Sequence, residues 1–166
     1  MIYTVCGVSG CGKTTVGTML SKQLGLPFYD GDDFHPEANI QKMSSGQALN
    51  DQDRESWLEQ LSLMIVEWEE EGGAVLACSA LKEYYRQLLI AIPPQNVRWI
   101  VLHGTIDLIS ERMSRRKNHF FKPQLLQSQF EIFETPTYGW HFNIEDTTED
   151  IVQGILEKHR ASAHDH

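Results

Sequence analysis

One run of residues carries the clearest chemistry in the chain. Gly7-Val8-Ser9-Gly10-Cys11-Gly12-Lys13-Thr14 follows the spacing G-x-x-x-x-G-K-[ST]. It stands between the apolar run Ile2-Tyr3-Thr4-Val5-Cys6 and an amphipathic stretch, the strand-then-helix setting in which this pattern holds phosphate. Its glycines let successive backbone N–H groups turn inward as a nest for phosphate oxygens. Lys13 adds a positive charge for the β- and γ-phosphates, Thr14 a hydroxyl for Mg²⁺, and the following helix its N-terminal dipole. Gly7 through Thr14, together with Thr15, are therefore the expected contacts of a purine nucleoside triphosphate, taken as ATP.

A triphosphate site serves switches as well as transferases, and Asp30-Gly31-Asp32 helps to separate them. Phosphoryl transfer to an alcohol needs a group that orients the hydroxyl and takes its proton, and acidic groups that help hold Mg²⁺. Asp30 is expected in the outer shell of the metal and Asp32 on the acceptor hydroxyl. The alternative is that Asp30 and Asp33 only cap a turn around Gly31. Lys42, Lys82 and Arg86, with His35 beside the aspartates, are the expected acceptor contacts. Lys82 and Arg86 stand four apart on one predicted helix face, an arrangement suited to a carboxylate-bearing substrate, or to a solvated ion-paired surface. Arg112, Arg115 and Arg116 form a basic cluster where a lid over the cleft would need charge. Arg112 and Arg116 are assigned to the nucleotide and Arg116 to the transferring phosphoryl group; otherwise the cluster is a basic helix end.

These groups need a scaffold. Val16, Met19, Leu20 and Leu24 keep helical spacing up to Gly25 and Pro27, and Pro27-Phe28-Tyr29 reads as a short strand. A helix is expected around 37–43. A longer one over 51–71 carries Trp57, Leu58, Leu61, Ile65 and Trp68 on one face and stops at Gly72-Gly73. Residues 74–78 form a continuous apolar strand, and Ser79-Ala80-Leu81-Lys82 is expected to begin the next helix, which Pro93-Pro94 ends. A strand at 97–102, a helix capped by Thr105 and running to about Arg116, a helix over 125–133, a strand at 140–144 and a closing helix capped by Thr147 complete the chain. The alternation predicts a three-layer α/β fold, a parallel sheet flanked by helices, with ligands at the carboxyl ends of the strands.

The chain has 166 residues, is 41% hydrophobic and 22% charged, and reads as a single domain. A net charge of -9 argues against a nucleic-acid surface. No apolar stretch approaches the length of a membrane span and no charged leader precedes the first one, so a cytoplasmic protein is expected. Cys6 and Cys78 lie in apolar runs and read as buried, whereas Cys11 sits in the loop, where it is open to oxidation; a reduced compartment suits all three. His119 flanks the basic cluster, His103 and His141 read as strand-end or core residues, and no metal-ligand spacing is present. The four tryptophans read as core or subunit-contact residues.

The residues resemble the gluconokinases. The phosphate loop, Asp30-Gly31-Asp32 with His35-Pro36, Asn39-Ile40 with Lys42-Met43, and Leu49-Asn50-Asp51 with Asp53-Arg54 and Trp57-Leu58 all match. So do Cys78-Ser79-Ala80-Leu81-Lys82 with Tyr85-Arg86, then Arg112, Arg116, His119-Phe120-Phe121, Leu125-Leu126, Ser128-Gln129-Phe130, Glu134 and Pro136. The matches run in order from residue 7 to about 136. Ser56 departs from a usual proline, and Ile90 from an arginine that often follows the Tyr-Arg pair. The resemblance implies ATP- and Mg²⁺-dependent phosphorylation of D-gluconate at its 6-hydroxyl, a fold like the nucleoside-monophosphate and shikimate kinases, and a homodimer. It implies an acceptor-side segment at about 30–70 and a lid at about 112–135; the tail at 161–166 is expected to fray as a terminus. The rivals are a shikimate-kinase-like enzyme or other small-molecule P-loop kinase, and a non-catalytic nucleotide-binding switch or scaffold.

Overall fold

In the computed structural model Ile2–Cys6 forms strand β1, buried at every position. A strand covered by helices on both faces needs no polar alternation, which explains its apolar run, interrupted only by the buried Thr4. Four strands join it: β2 (Phe28–Asp30), β3 (Ala74–Ala77), β4 (Val97–His103) and β5 (Trp140–Asn143). The sheet order is β2-β3-β1-β4-β5, and every pairing is parallel. Val5 lies level with both Ala77 and Ile100, and Asp30 with Ala77, so the loops after β1, β2 and β3 emerge along one edge. The structure describes residues 1–92, 96–115 and 123–164.

The helices are α1 (Lys13–Leu24), α2 (Glu37–Ser44), α3 (Asp51–Glu70), α4 (Glu83–Leu89), α5 (Ile106–Ser114), α6 (Pro123–Ile132) and α7 (Thr148–His164). In α3 the predicted stripe Trp57, Leu58, Leu61, Ile65 and Trp68 is buried throughout. At roughly 1.5–3 kcal/mol for each buried large side chain, this face outweighs any contribution from helix propensity. A reciprocal cap starts α3: Asn50 Oδ1 accepts from the Asp53 N–H and Asp53 Oδ2 from the Asn50 N–H, at 2.8 and 3.0 Å. Thr105 and Thr147 cap α5 and α7 as expected, accepting from Leu108 and Asp150.

Two expectations about element ends are corrected. Residues 79–82 do not begin a helix; α4 starts at Glu83, because Ala80 is held at φ 39°, a left-handed backbone incompatible with a helical turn. The chain's last helix does not fray at 161 but continues to His164. Ile151, Val152, Ile155 and Leu156 bury one of its faces, and His159 Nδ1 meets the Tyr3 hydroxyl at 2.8 Å.

Gly31, between the paired aspartates, is glycine for a steric reason. A Cβ there would lie 2.8 Å from the Ala77 carbonyl oxygen on β3, backbone against backbone. Gly31→Ala should therefore lower the unfolding free energy in urea by about 1–3 kcal/mol through overpacking. Wild-type stability in that variant would show that β2 slides on β3 without penalty.

Candidate active site

The phosphate loop follows β1 and ends at Gly12, which caps α1 from φ 96° and offers no side chain. The first N–H groups of α1 therefore have no capping partner and remain directed at the cleft. Lys13 Nζ lies back across the loop and donates to the Gly7 and Val8 carbonyls at 3.0 and 2.9 Å. The Ser9 N–H donates to Gln129 Oε1 of α6 at 2.7 Å. Cys11, expected to be open to oxidation, is 1% exposed, and burial pushes its thiol pKa up; it is inert packing. Burial likewise raises the Cys6 thiol to about 12 and pushes Cys78 up as well.

A cleft of about 480 Å³ opens beside this loop, lined by Ser9, Gly10, Gly12, Lys13, Thr14 and Thr15 on the phosphate side. Asp30, Asp32 and His35 line it from the end of β2. Asp30 Oδ2 accepts from the Thr14 hydroxyl at 3.4 Å, and its Oδ1 accepts from the Asp32 N–H at 3.0 Å. Asp30 thus does cap the turn, and it also reaches the phosphate loop. Burial pushes the Asp30 carboxyl above its ordinary value, and the charges of Asp32 and Asp33 add to the rise, while the Asp32 N–H and Lys13 oppose it. A hydroxyl and a crowded carboxylate are hard oxygen donors that suit Mg²⁺ alongside phosphate oxygens, and such a site needs only one or two protein ligands. Among the described residues no cluster of three or more metal-ligating side chains offers an alternative.

Asp32 behaves oppositely to Asp30. Crowding by its neighbours alone would raise its pKa, although the side chain is 67% exposed, yet His35 and the Lys13 charge hold the carboxyl below its ordinary value, so it remains an acceptor for a proton. Arg54, a residue not singled out for a role by its spacing, is 93% shielded from solvent (7% exposed) yet lines the cleft. Its Nη1 donates to the Tyr85 hydroxyl at 3.1 Å, and its guanidinium carbon lies 5.4 Å from that ring's centre. Arg54 and Leu49 also border a neighbouring hollow lined by Asp51, Lys82 and Ser128. Lys82 is there as expected, paired with Asp51 at 3.0 Å. Arg54 continues the apolar stripe of α3 one turn before Trp57, and a lone arginine at that position is the signal that could have found it. Ser79 and Gln129 line the cleft too, with no comparable mark in composition or spacing.

Not every expected residue reaches the cleft. Arg86 is 1% exposed, and its Nε and Nη2 donate to the carbonyls of Ala80 (3.0 Å), Leu81 (3.1 Å) and Glu134, while Nη1 pairs with Glu83 at 2.9 Å. Its role is to pin the 79–82 loop and the segment after α6, so the proposed Lys82–Arg86 pair does not form. Lys42 binds Asp53 Oδ2 at 2.6 Å and ties α2 to α3 rather than facing the cleft; Met43 lines it instead. Arg112 donates to the Ile144 carbonyl at 2.7 Å. Arg115 pairs with Glu111 on the surface. Arg116 and His119 lie outside the described residues. His103 and His141 stack at 4.9 Å at the ends of β4 and β5.

Comparison with known proteins agrees with this geometry. The family model described as Shikimate kinase matches residues 9–158. The thermoresistant gluconokinase of Escherichia coli K12 is 44% identical, over 94% of this chain and 91% of that protein. An unliganded sugar kinase from Janibacter sp. HTCC2649 superposes with a TM-score of 0.88 at 35% identity, covering 94% of this chain and 92% of its own. A gluconokinase from Sinorhizobium meliloti 1021 gives a TM-score of 0.82 at 36% identity, covering 91% and 86%.

Removing the Arg86 donors would strand buried carbonyls. Arg86→Met should cost about 3 kcal/mol or more of unfolding free energy, read by urea denaturation. A loss under about 1 kcal/mol, below the typical net worth of even one such bond, would contradict the structural role.

Proposed function

The chain belongs to the gluconokinases, P-loop kinases of the shikimate-kinase type, and from that premise we propose how its residues transfer the phosphoryl group of ATP to gluconate. The observation that carries the proposal is that Asp30 and Asp32 share one cleft with the phosphate loop, within the field of Lys13. The acceptor's 6-hydroxyl sits against the Asp32 carboxylate, in line with the γ-phosphorus. As its oxygen attacks, the new O–P bond forms, the bond to the β–γ bridging oxygen breaks, the proton passes to Asp32, and ADP leaves. Lys13 exchanges its two carbonyl partners for phosphate oxygens and spreads the charge that develops on them. Thr14, with Asp30 behind it, would hold Mg²⁺, which would supply charge neutralisation at the phosphates.

The acceptor's carboxylate is assigned to Arg54 and Lys82, the cations that border the cleft and its neighbouring hollow. Arg54 suits the task because its guanidinium is already desolvated and oriented by Tyr85, so little order is lost when an anion arrives. Arg112 and Arg116 remain assigned to the nucleotide, and His35, expected as an acceptor contact, lies beside Asp32 at the acceptor end of the cleft. A shikimate acceptor is the weaker reading, since the more similar relatives carry gluconokinase and sugar-kinase names. No described helix is long and apolar enough to cross a membrane. A homodimer working in the cytoplasm is supported by the family resemblance, and the net charge of -9 speaks against nucleic acid as a partner.

The reaction is tested by ADP release with ATP and Mg²⁺, comparing D-gluconate, shikimate, AMP and no acceptor. Gluconate alone should support turnover, and Lys13→Ala should lose at least ~10² in kcat. Turnover only with another acceptor would discard gluconate; silence with ATP still bound would favour a switch or scaffold. Asp32→Asn preserves size and removes the base, so kcat should fall by ~10² or more with ATP binding little changed. If only the KM for gluconate rises, Asp32 binds the acceptor and is not its base.

A further inference from the structure

We propose that His35 is a positioning residue that acts on the reaction through Asp32, and that Asn39 fixes the ring tautomer it needs. This rests on the assignment of Asp32 as the acceptor's base. The His35 side chain is 4% exposed, too enclosed to serve mainly as an acceptor contact. One face of its ring stacks on Trp57, with centroids 4.0 Å apart and planes 20° from parallel. Its two nitrogens have different partners. Nδ1 lies 3.2 Å from Asn39 Nδ2, and Nε2 lies 3.6 Å from Asp32 Oδ1.

Asn39 decides which nitrogen carries the proton. It is 4% exposed, and its Nδ2 also donates to the Asp53 carbonyl at 2.9 Å. Rotating the amide would set its oxygen against that carbonyl oxygen, so the NH₂ group must face both partners. A donor against Nδ1 makes Nδ1 the acceptor, and the proton of the neutral ring then belongs to Nε2. That N–H points at Asp32. The separation of 3.6 Å is long for a hydrogen bond and suits one that tightens when the acceptor occupies the cleft.

The chain of contacts therefore runs from the backbone of α3 through Asn39 and His35 to the reacting carboxylate. Asp53, whose carbonyl begins it, is itself held by the α3 cap and by Lys42. Once that contact tightens over a bound acceptor, Oδ1 is taken by His35 and Oδ2 of Asp32 is the oxygen left for the acceptor hydroxyl. The Asp32 N–H is in turn tied to Asp30 Oδ1, so the backbone and the side chain of the base are both restrained. A base with two free rotamers would spend part of its time facing solvent, and misplacement by about 1 Å can cost ~10²-fold in rate.

Steady-state kinetics of His35→Phe and His35→Gln, with ADP affinity measured for each, test the idea. His35→Phe keeps a flat ring on Trp57 and loses the donor; kcat should fall about 10- to 100-fold with both KM values within about twofold. His35→Gln places an amide N–H near the position of Nε2 and should recover kcat to within about threefold of wild type. Unchanged kcat in His35→Phe overturns the proposal. A rise confined to the KM for gluconate also overturns it, since His35 would then touch the acceptor. Equal losses in both variants with ADP affinity intact would show that a restored N–H donor does not restore the rate, and overturn it too. If either variant loses ADP affinity through misfolding, Asn39→Leu decides: it keeps the buried side chain but gives Nδ1 no donor, the ring proton is then free to sit on either nitrogen, so kcat should fall, and a wild-type value refutes the tautomer argument. Failure of wild type to turn over gluconate would instead strike the assigned reaction, leaving the two failures distinguishable.

Discussion

The acceptor side of the cleft hangs on a single indole. Trp57 is 1% exposed, and its Nε1–H donates to the Gly31 carbonyl at 2.8 Å. The same ring forms the floor under His35. Gly31 is in turn pressed against β3 so closely that no side chain fits. The turn that carries both aspartates is thus clamped between the sheet and α3, with one polar bond setting its height. A buried indole N–H left unpaired would cost about 1–3 kcal/mol, so the turn cannot leave Trp57 without a penalty comparable to a core mutation. Placement of Asp30 opposite Thr14 follows from this clamp and from the parallel register that sets Asp30 level with Ala77.

Two buried arginines show how burial divides structure from chemistry. Both are under 8% exposed, yet Arg86 spends four N–H donations within the protein while the bond recorded for Arg54 is to the Tyr85 hydroxyl. A guanidinium with its fork filled by carbonyls holds a loop; one facing a cleft with donors to spare can receive an anion. The work Arg86 does is visible next to it, where Ala80 stays at φ 39° although a β-carbon disfavours that region. Arg86 bonds the Ala80 and Leu81 carbonyls directly, and Lys82 follows them into the hollow beside Arg54. Arg86 therefore reaches the site only through the loop it pins.

Much of this was legible in the residues. The phosphate loop, the alternation of elements, the α3 stripe and the two caps rest on local chemistry: glycine backbone freedom, side-chain periodicity and hydroxyl acceptors. The positions of Asp30, Asp32 and Lys82 followed from one topological rule, that ligands gather at strand ends. What failed was of another kind. The spacing of Lys82 and Arg86 describes a helix face, but Lys82 lies outside the helix, and spacing says nothing about carbonyls arriving from Glu134, distant in sequence. Lys42 went astray for the same reason, since its partner Asp53 belongs to another helix. Arg54 was marked by breaking an apolar stripe; Gln129 carried no such mark, because its partner is a backbone N–H at the far end of the chain.

That last contact bears on how the phosphate loop is built. Lys13 and the Ser9 N–H are the groups expected to meet phosphate, and both are already satisfied, by two loop carbonyls and by the Gln129 carboxamide. A cradle with open donors would have to be held open against its own hydration and against collapse. Here the loop keeps a binding-ready shape by lending its donors to internal acceptors. The Ser9–Gln129 bond joins two neutral groups, and the Lys13 bonds join a cation to neutral carbonyls. An anionic phosphate oxygen is a stronger acceptor than either, so the exchange favours nucleotide. Its consequence reaches beyond the loop. When a phosphate oxygen takes the Ser9 N–H, α6 loses that carboxamide bond, whereas the segment just after α6 stays tied to Leu81 through the Glu134 N–H at 2.8 Å. The Ser9 N–H thus lies between two kinds of acceptor, the Gln129 carboxamide that joins α6 to the loop and the phosphate oxygens for which the loop is shaped.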